Sequence, residues 1–265
     1  MLRVELTTQL LRIRTLVVLA CLAAVPVMAG FSFASKAGHQ NGRQTGLFGA
    51  SPYSALNHAM ASMAFIEPLL LPIMVALPAA AIASSDREWG ILRYLYVAPV
   101  SRTRLLTAKL GALAVLTTVA TLCVLTAGLL AGLAIFGWHP FHIIGAPNLT
   151  GAETATRVLS ATGYCLLCML SIAAIAFALG LLLPRGIEAL GTAVVFVIAA
   201  SIFNGSHTLH AVQAILPMHY WQNWTQLFDP AGTAHLGTGV AVQIATIILA
   251  TCAAVLVLFR RDPAA

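Results

Sequence analysis

Six apolar runs, at residues 16–33, 59–83, 110–136, 158–183, 189–203 and 240–259, limit what this chain can fold into. A helix needs about 20 apolar residues to cross ~30 Å of hydrocarbon, and runs this long and unbroken read as such helices. With 60% hydrophobic and 8% charged residues and a mean hydropathy of +0.91, the chain carries far more apolar surface than a soluble fold can hide. That excludes a secreted enzyme, a coiled coil and a disordered chain. The predicted fold is therefore an all-α polytopic membrane protein: six transmembrane helices in one domain over residues 1–265. The fifth run is short for a span and is expected to extend past Asn204 or back to Ile187. The first reads as a span rather than a signal peptide, because no small-residue cleavage motif follows it near Ser35.

Six spans sort the fourteen Lys and Arg residues into two sets. Eleven (Arg3, Arg12, Arg14, Arg87, Arg93, Arg102, Arg104, Lys109, Arg185, Arg260, Arg261) share one side, and three (Lys36, Arg43, Arg157) the other. The positive-inside bias then predicts a multi-pass protein of the cell membrane with both termini in the cytoplasm. Trp89, Trp138, Trp221 and Trp224 all fall outside the runs, near their ends, where indole rings favour the headgroup zone. Topology accounts for the net charge of +6, so no nucleic-acid partner is expected and membrane lipid is the surrounding partner. Expected outer loops are 34–58, 137–157 and 204–239; inside lie the large loop 84–109 and a tight turn at 184–188. The five cysteines all sit in apolar stretches and read as small packing residues.

Nothing in the chain signals chemistry of its own. There is no G-x-x-x-x-G-K-[ST], no H-E-x-x-H and no G-x-S-x-G, so no enzyme and no cofactor is expected here, and any ATP must be bound elsewhere. The informative stretch is the loop at 84–109. Ser84 or Ser85 can cap a short helix with Asp86 and Glu88 in its first turn, and Pro99 stops it. Trp89, Leu92 and Tyr96 form an apolar stripe beside Arg87 and Arg93, suited to a membrane surface or to a protein groove. After Pro99, Ser101 can cap again, and Arg102, Arg104 and Lys109 lead into the third span.

This loop resembles the permease subunits of ABC-2 type transporters, whose second span is followed by roughly E-R-E-x-G-T-L-E, about five residues, P-V-S-R, and a Lys at the mouth of the third span. The chain matches at Asp86, Arg87, Glu88, Gly90, Leu92, Pro99, Val100, Ser101, Arg102 and Lys109; it departs at Ile91, where Thr is usual, and at Arg93, where Glu is usual. The six-span layout and the tail L-F-R-R-D-P extend the likeness. The resemblance implies a cytoplasmic coupling helix that seats Asp86, Arg87, Glu88, Trp89, Gly90, Leu92, Pro99 and Arg102 against a separate ATP-binding cassette ATPase, which holds ATP and Mg. It also implies a second permease chain, in a homo- or heterodimer, and an N-terminal interfacial helix. Leu2, Leu6, Leu10 and Ile13 supply that helix with an apolar face, interrupted by Val4 and Leu11 on the other side. The implied function is export of a lipophilic or amphiphilic compound such as a drug, antibiotic or peptide. Alternatives are a permease for copper- or sulfur-related metalloenzyme maturation, and a non-transporting receptor or assembly factor.

Further residues stand out more faintly. Glu67 is the acid well inside a run, about 24 Å from Ala83 at ~1.5 Å per residue. It marks a substrate path for a cationic or hydrogen-bonding group, or else Glu67 and Pro68 simply start a helix. Pro68, Pro72 and Pro78 predict that this span is bent or interrupted. Trp221, Trp224 and Phe228 share a helical face in a short outer re-entrant segment, a second part of the path or an interfacial anchor. Gly128 and Gly132 form G-x-x-x-G, and Cys165 and Cys168 form C-x-x-C in a setting that gives no thiolate. The eight histidines fall outside the runs or at their outer mouths; two pairs have H-x-x-H spacing, and polar loop residues are the better reading than a metal site.

Overall fold

The computed structural model describes residues 2–36, 46–88, 102–145, 147–204, 216–229 and 236–260, and these are helical apart from short connections. A short helix α1 (Leu2–Leu10) turns at Leu11 and Arg12 into α2 (Ile13–Lys36). The turn is closed by the Thr15 hydroxyl donating to the Gln9 carbonyl at 2.7 Å. The expected apolar face of α1 stops at Leu10: Ile13 opens the next helix and is 80% exposed. Next come α3 (Gly46–Ala50), a 3-10 turn (Ser51–Tyr53) and α4 (Ala55–Ile66), then α5 (Leu70–Glu88). The remaining helices are α6 (Arg102–Ile135), α7 (Gly151–Leu182), α8 (Gly186–Asn204) and α9 (Leu236–Arg260); a 3-10 segment, Pro217–Phe228, precedes α9.

Five of these helices, α2 and α6 to α9, are long and apolar enough to cross a membrane, and the bent pair α4 and α5 makes a sixth if it is counted as one span. The fifth run grows at both ends, as its length requires. The fourth begins at Gly151 rather than 158, because Thr150 and Glu153 form a capping box. Arg157, expected in a loop, therefore sits on α7. The helix of the second run likewise starts early, at Ala55, with the Ser54 hydroxyl accepting from the Asn57 backbone N–H. His58 is consequently not at a loop mouth. It is buried, within hydrogen-bond distance of Ser51 Oγ (2.9 Å) and the Pro26 carbonyl (3.0 Å).

The break between α4 and α5 is a 63° bend at residues 67–69. Proline chemistry explains it. Pro68 and Pro72 have no N–H for the carbonyls four residues earlier, and the freed Pro68 carbonyl is taken by the Ser201 hydroxyl of α8 at 3.2 Å. Twelve helical residues precede Glu67, so it ends α4 instead of starting a helix, and the straight-helix distance to Ala83 does not apply. The bend sends the two halves to different partners: α4 packs on α6, while α5 packs on α7 and α8. The central α7 also holds α9, and α2 lies against α6.

Small residues allow the closest approaches. A Cβ on Gly132 would stand 2.8 Å from the Ala55 Cα, and one on Gly128 3.0 Å from the Ala59 Cα, so the G-x-x-x-G of α6 is a genuine contact face for α4. Gly137 ends α6 with φ of +77°, a conformation that favours glycine, and its carbonyl accepts from the Ala55 N–H at 3.1 Å. Leu130, Val195, Ile202, Ile248 and Leu249 point outward from the bundle, as lipid-facing positions do.

Candidate functional site

The break between α4 and α5 places the Glu67 carboxyl in the interior with no exposed surface. The Trp224 indole Nε1–H donates to Glu67 Oε2. The weakly donating Cys165 thiol is a second hydrogen-bond partner of the carboxyl, and Oε1 has no N–H or O–H donor among the described residues. A buried carboxyl oxygen without an N–H or O–H donor is costly.

Trp224 belongs to the 217–228 segment. Trp221, Trp224 and Phe228 are all buried on its inner face, so the expected shared face is present, but it packs into the protein rather than resting in a headgroup zone. Twelve residues is long for a 3-10 helix, whose own hydrogen bonds are poor. Neighbouring helices hold it through its backbone. Gln243 of α9 donates to the Pro217 carbonyl at 2.7 Å, Tyr164 of α7 to that of Tyr220 at 2.7 Å, and Arg157 of α7 to that of Leu227 at 2.8 Å. Gln243 is itself bonded by the Ser171 hydroxyl.

Beside this segment lies a cavity of about 560 Å³, lined by Leu47 and Phe48 of α3, Ala64 of α4, the 141–144 connection, and Gln222, Thr225, Phe228 and Asp229. The connection is fastened to α4 by Asn57, whose amide donates to the His142 carbonyl (2.7 Å) and accepts from its N–H (3.0 Å). Phe228 forms the inner wall: its ring meets Phe141 at 5.0 Å and Trp224 edge-on at 6.2 Å. Ala64 is one turn before Glu67. Three of the four residues read as a path are thus joined, Glu67 to Trp224 and Trp224 to Phe228, while Trp221 is buried on the same segment with no hydrogen bond to its indole Nε1 among the described residues.

At the far end of α5, Ser84 and Ser85 do not cap a new helix. Both lie inside α5, their hydroxyls donating back to Ala81 and Ile82 carbonyls. Asp86, Arg87 and Glu88 therefore form the last turn of α5 rather than the first turn of the expected coupling helix. Trp89, Gly90, Leu92 and Pro99 lie outside the described residues, and α6 starts at Arg102. Lys109 was legible as a basic flank; its actual position is buried, with Nζ donating to the Ile82 carbonyl at 2.8 Å and to Ser85 Oγ at 3.1 Å. It ties the end of α5 to the beginning of α6.

Of the histidine pairs, His207 and His210 lie outside the described residues. His142 approaches Asn148 Oδ1 at 2.7 Å and stacks on Tyr53, while His139 is exposed. Among the described residues no group of three His, Cys, Asp or Glu side chains gathers as metal ligands.

The fold defines a class, the all-helical multi-pass membrane proteins. Within it, this chain belongs to the family described as protein of unknown function (DUF2705), which matches residues 16–263. No curated protein matches the chain.

Proposed function

We propose that this chain is the permease subunit of an ATP-driven exporter of the ABC-2 type, moving a lipophilic or amphiphilic compound out of the cell with a separate ATPase subunit and a second permease chain. In this reading the bent pair is one of six spans, both termini are cytoplasmic, and a coupling helix lies in the loop between α5 and α6. The observation that carries it is the connection of that loop. The stretch D-R-E-W-G-I-L to P-V-S-R joins the end of α5, the second half of the bent pair, to the start of the span-capable α6, and Lys109 bonds those ends together through Ile82 and Ser85. A push delivered to the loop would move α5 and α6 as one body, and α5 leads directly to the bend at Glu67.

Coupling is tested by Glu88→Arg and Gly90→Trp, in which a reversed charge or added bulk prevents seating in a preformed groove. Both variants should insert normally, lose transport and lose substrate stimulation of the partner ATPase. Normal transport by both would reduce the loop to a membrane anchor. Topology is tested by single cysteines in a Cys-free variant: positions 40 and 226 should label from outside and position 94 from inside, and outside labelling at 94 would overturn the orientation.

A further inference from the structure

The 217–228 segment brings its side chains into line in a way that an α-helix would not. With three residues per turn, side chains at i and i+3 of a 3-10 helix stand above one another, ~6 Å apart at ~2.0 Å per residue. Met218, Trp221 and Trp224 form one such ridge and are buried in the bundle. The next ridge, Gln222, Thr225 and Phe228, lines the cavity, with Phe228 closing its buried end. Two uncharged polar groups thus lead to an aromatic ring. The Thr225 hydroxyl already donates to the Gln222 carbonyl at 2.7 Å, so its oxygen is left to a ligand as an acceptor. The exposed Gln222 side chain supplies N–H donors and a carbonyl. Opposite, Leu47, Phe48, Phe141 and Ile143 are apolar, and a volume of about 560 Å³ suits a drug-sized molecule. The described lining contains no Lys or Arg, and its acid, Asp229, is engaged in an interaction of its own. An ion of either sign would lose its water without gaining an unengaged counter-charge there.

We propose that this cavity binds an uncharged amphiphile: an apolar body lies against the Phe141 and Phe228 rings, and an amide-type group faces the Gln222 and Thr225 ridge, its N–H donating to Thr225 Oγ and its C=O accepting from Gln222. The proposal rests on the export reading for its purpose, because it narrows the substrate class, but binding itself can be measured without an ATPase.

The experiment uses the full chain in lipid nanodiscs, with empty nanodiscs subtracted, and fluorescent probes that share one apolar body: 1-pyrenecarboxamide, its N,N-dimethyl amide, 1-pyrenecarboxylate and 1-pyrenemethylammonium. Wild type should bind the carboxamide saturably and at least about tenfold more tightly than either ion. Dimethylation, which removes the N–H groups, should weaken binding several-fold. Thr225→Val keeps the shape and removes the acceptor, so it should erase the difference between the two amides, and Thr225→Ser should restore it; a purely structural threonine would not tell the amides apart. Gln222→Leu should weaken carboxamide binding several-fold with an unchanged thermal midpoint, because the side chain is exposed. An ion that binds as tightly as the carboxamide, or an amide difference undiminished in Thr225→Val, overturns the proposal. Such a result combined with loss of ATPase stimulation in Gly90→Trp would leave the export reading standing with its substrate bound elsewhere, whereas carboxamide binding with normal transport in Gly90→Trp would do the reverse.

Discussion

Lys109 near the start of α6 and Glu67 at the bend are both buried in the bundle, and the protein treats them differently. The Lys109 ammonium is directed at a backbone carbonyl and a hydroxyl in the last two turns of α5, toward the negative end of the helix dipole. Glu67 has one indole donor and one oxygen left over. A buried polar group held by two short hydrogen bonds to one neighbouring helix works as a fastener, whereas Glu67 has a single indole donor and a weak thiol beside it.

Removing the fastener should have the largest effect on stability. Lys109→Met strips a charged donor from buried carbonyl and hydroxyl groups and should cost roughly 2–3 kcal/mol, seen as a lowered midpoint in detergent thermal unfolding. Trp224→Phe comes next, at about 1–2 kcal/mol, because it leaves the carboxyl without its indole donor. Ser85→Ala should cost about 1 kcal/mol, since the Ile82 carbonyl still accepts from Lys109. Glu67→Gln should be smallest, within about 0.5 kcal/mol, because an amide oxygen of nearly the same shape still accepts from Trp224. A Glu67→Gln protein less stable than Lys109→Met would reverse the contrast and make Glu67 a structural residue.

The apolar runs made the helices legible, and the prolines announced the break. Hydropathy hid the helix starts at Ala55 and Gly151, because Asn57, His58 and Glu153 are polar; the caps S-A-L-N and T-G-A-E were the available signals. Ser84 and Ser85 misled in the opposite way. A serine near the end of an apolar run can cap or back-bond, and here the helix continues through both. The Glu67 and Trp224 pairing joins residues 157 apart, and Lys109 reaches Ile82 across 27. No local pattern encodes either meeting, which depends on how the bent span distributes its halves between α6 and α7. Gln243 was invisible for a related reason: a lone amide in an apolar run gains meaning from the carbonyl it meets.

The attachment of the 217–228 segment has a consequence for how a family of such chains could diversify. Gln243, Tyr164 and Arg157 all grip main-chain oxygens, which every amino acid supplies. Gln222 and Thr225 can therefore be exchanged without loosening those three ties, and each exchange alters what the cavity presents. The chemistry of the pocket is thereby separated from the mechanics of its support: new lining can be tried on an unchanged mount, a short route to new ligand preferences within one architecture.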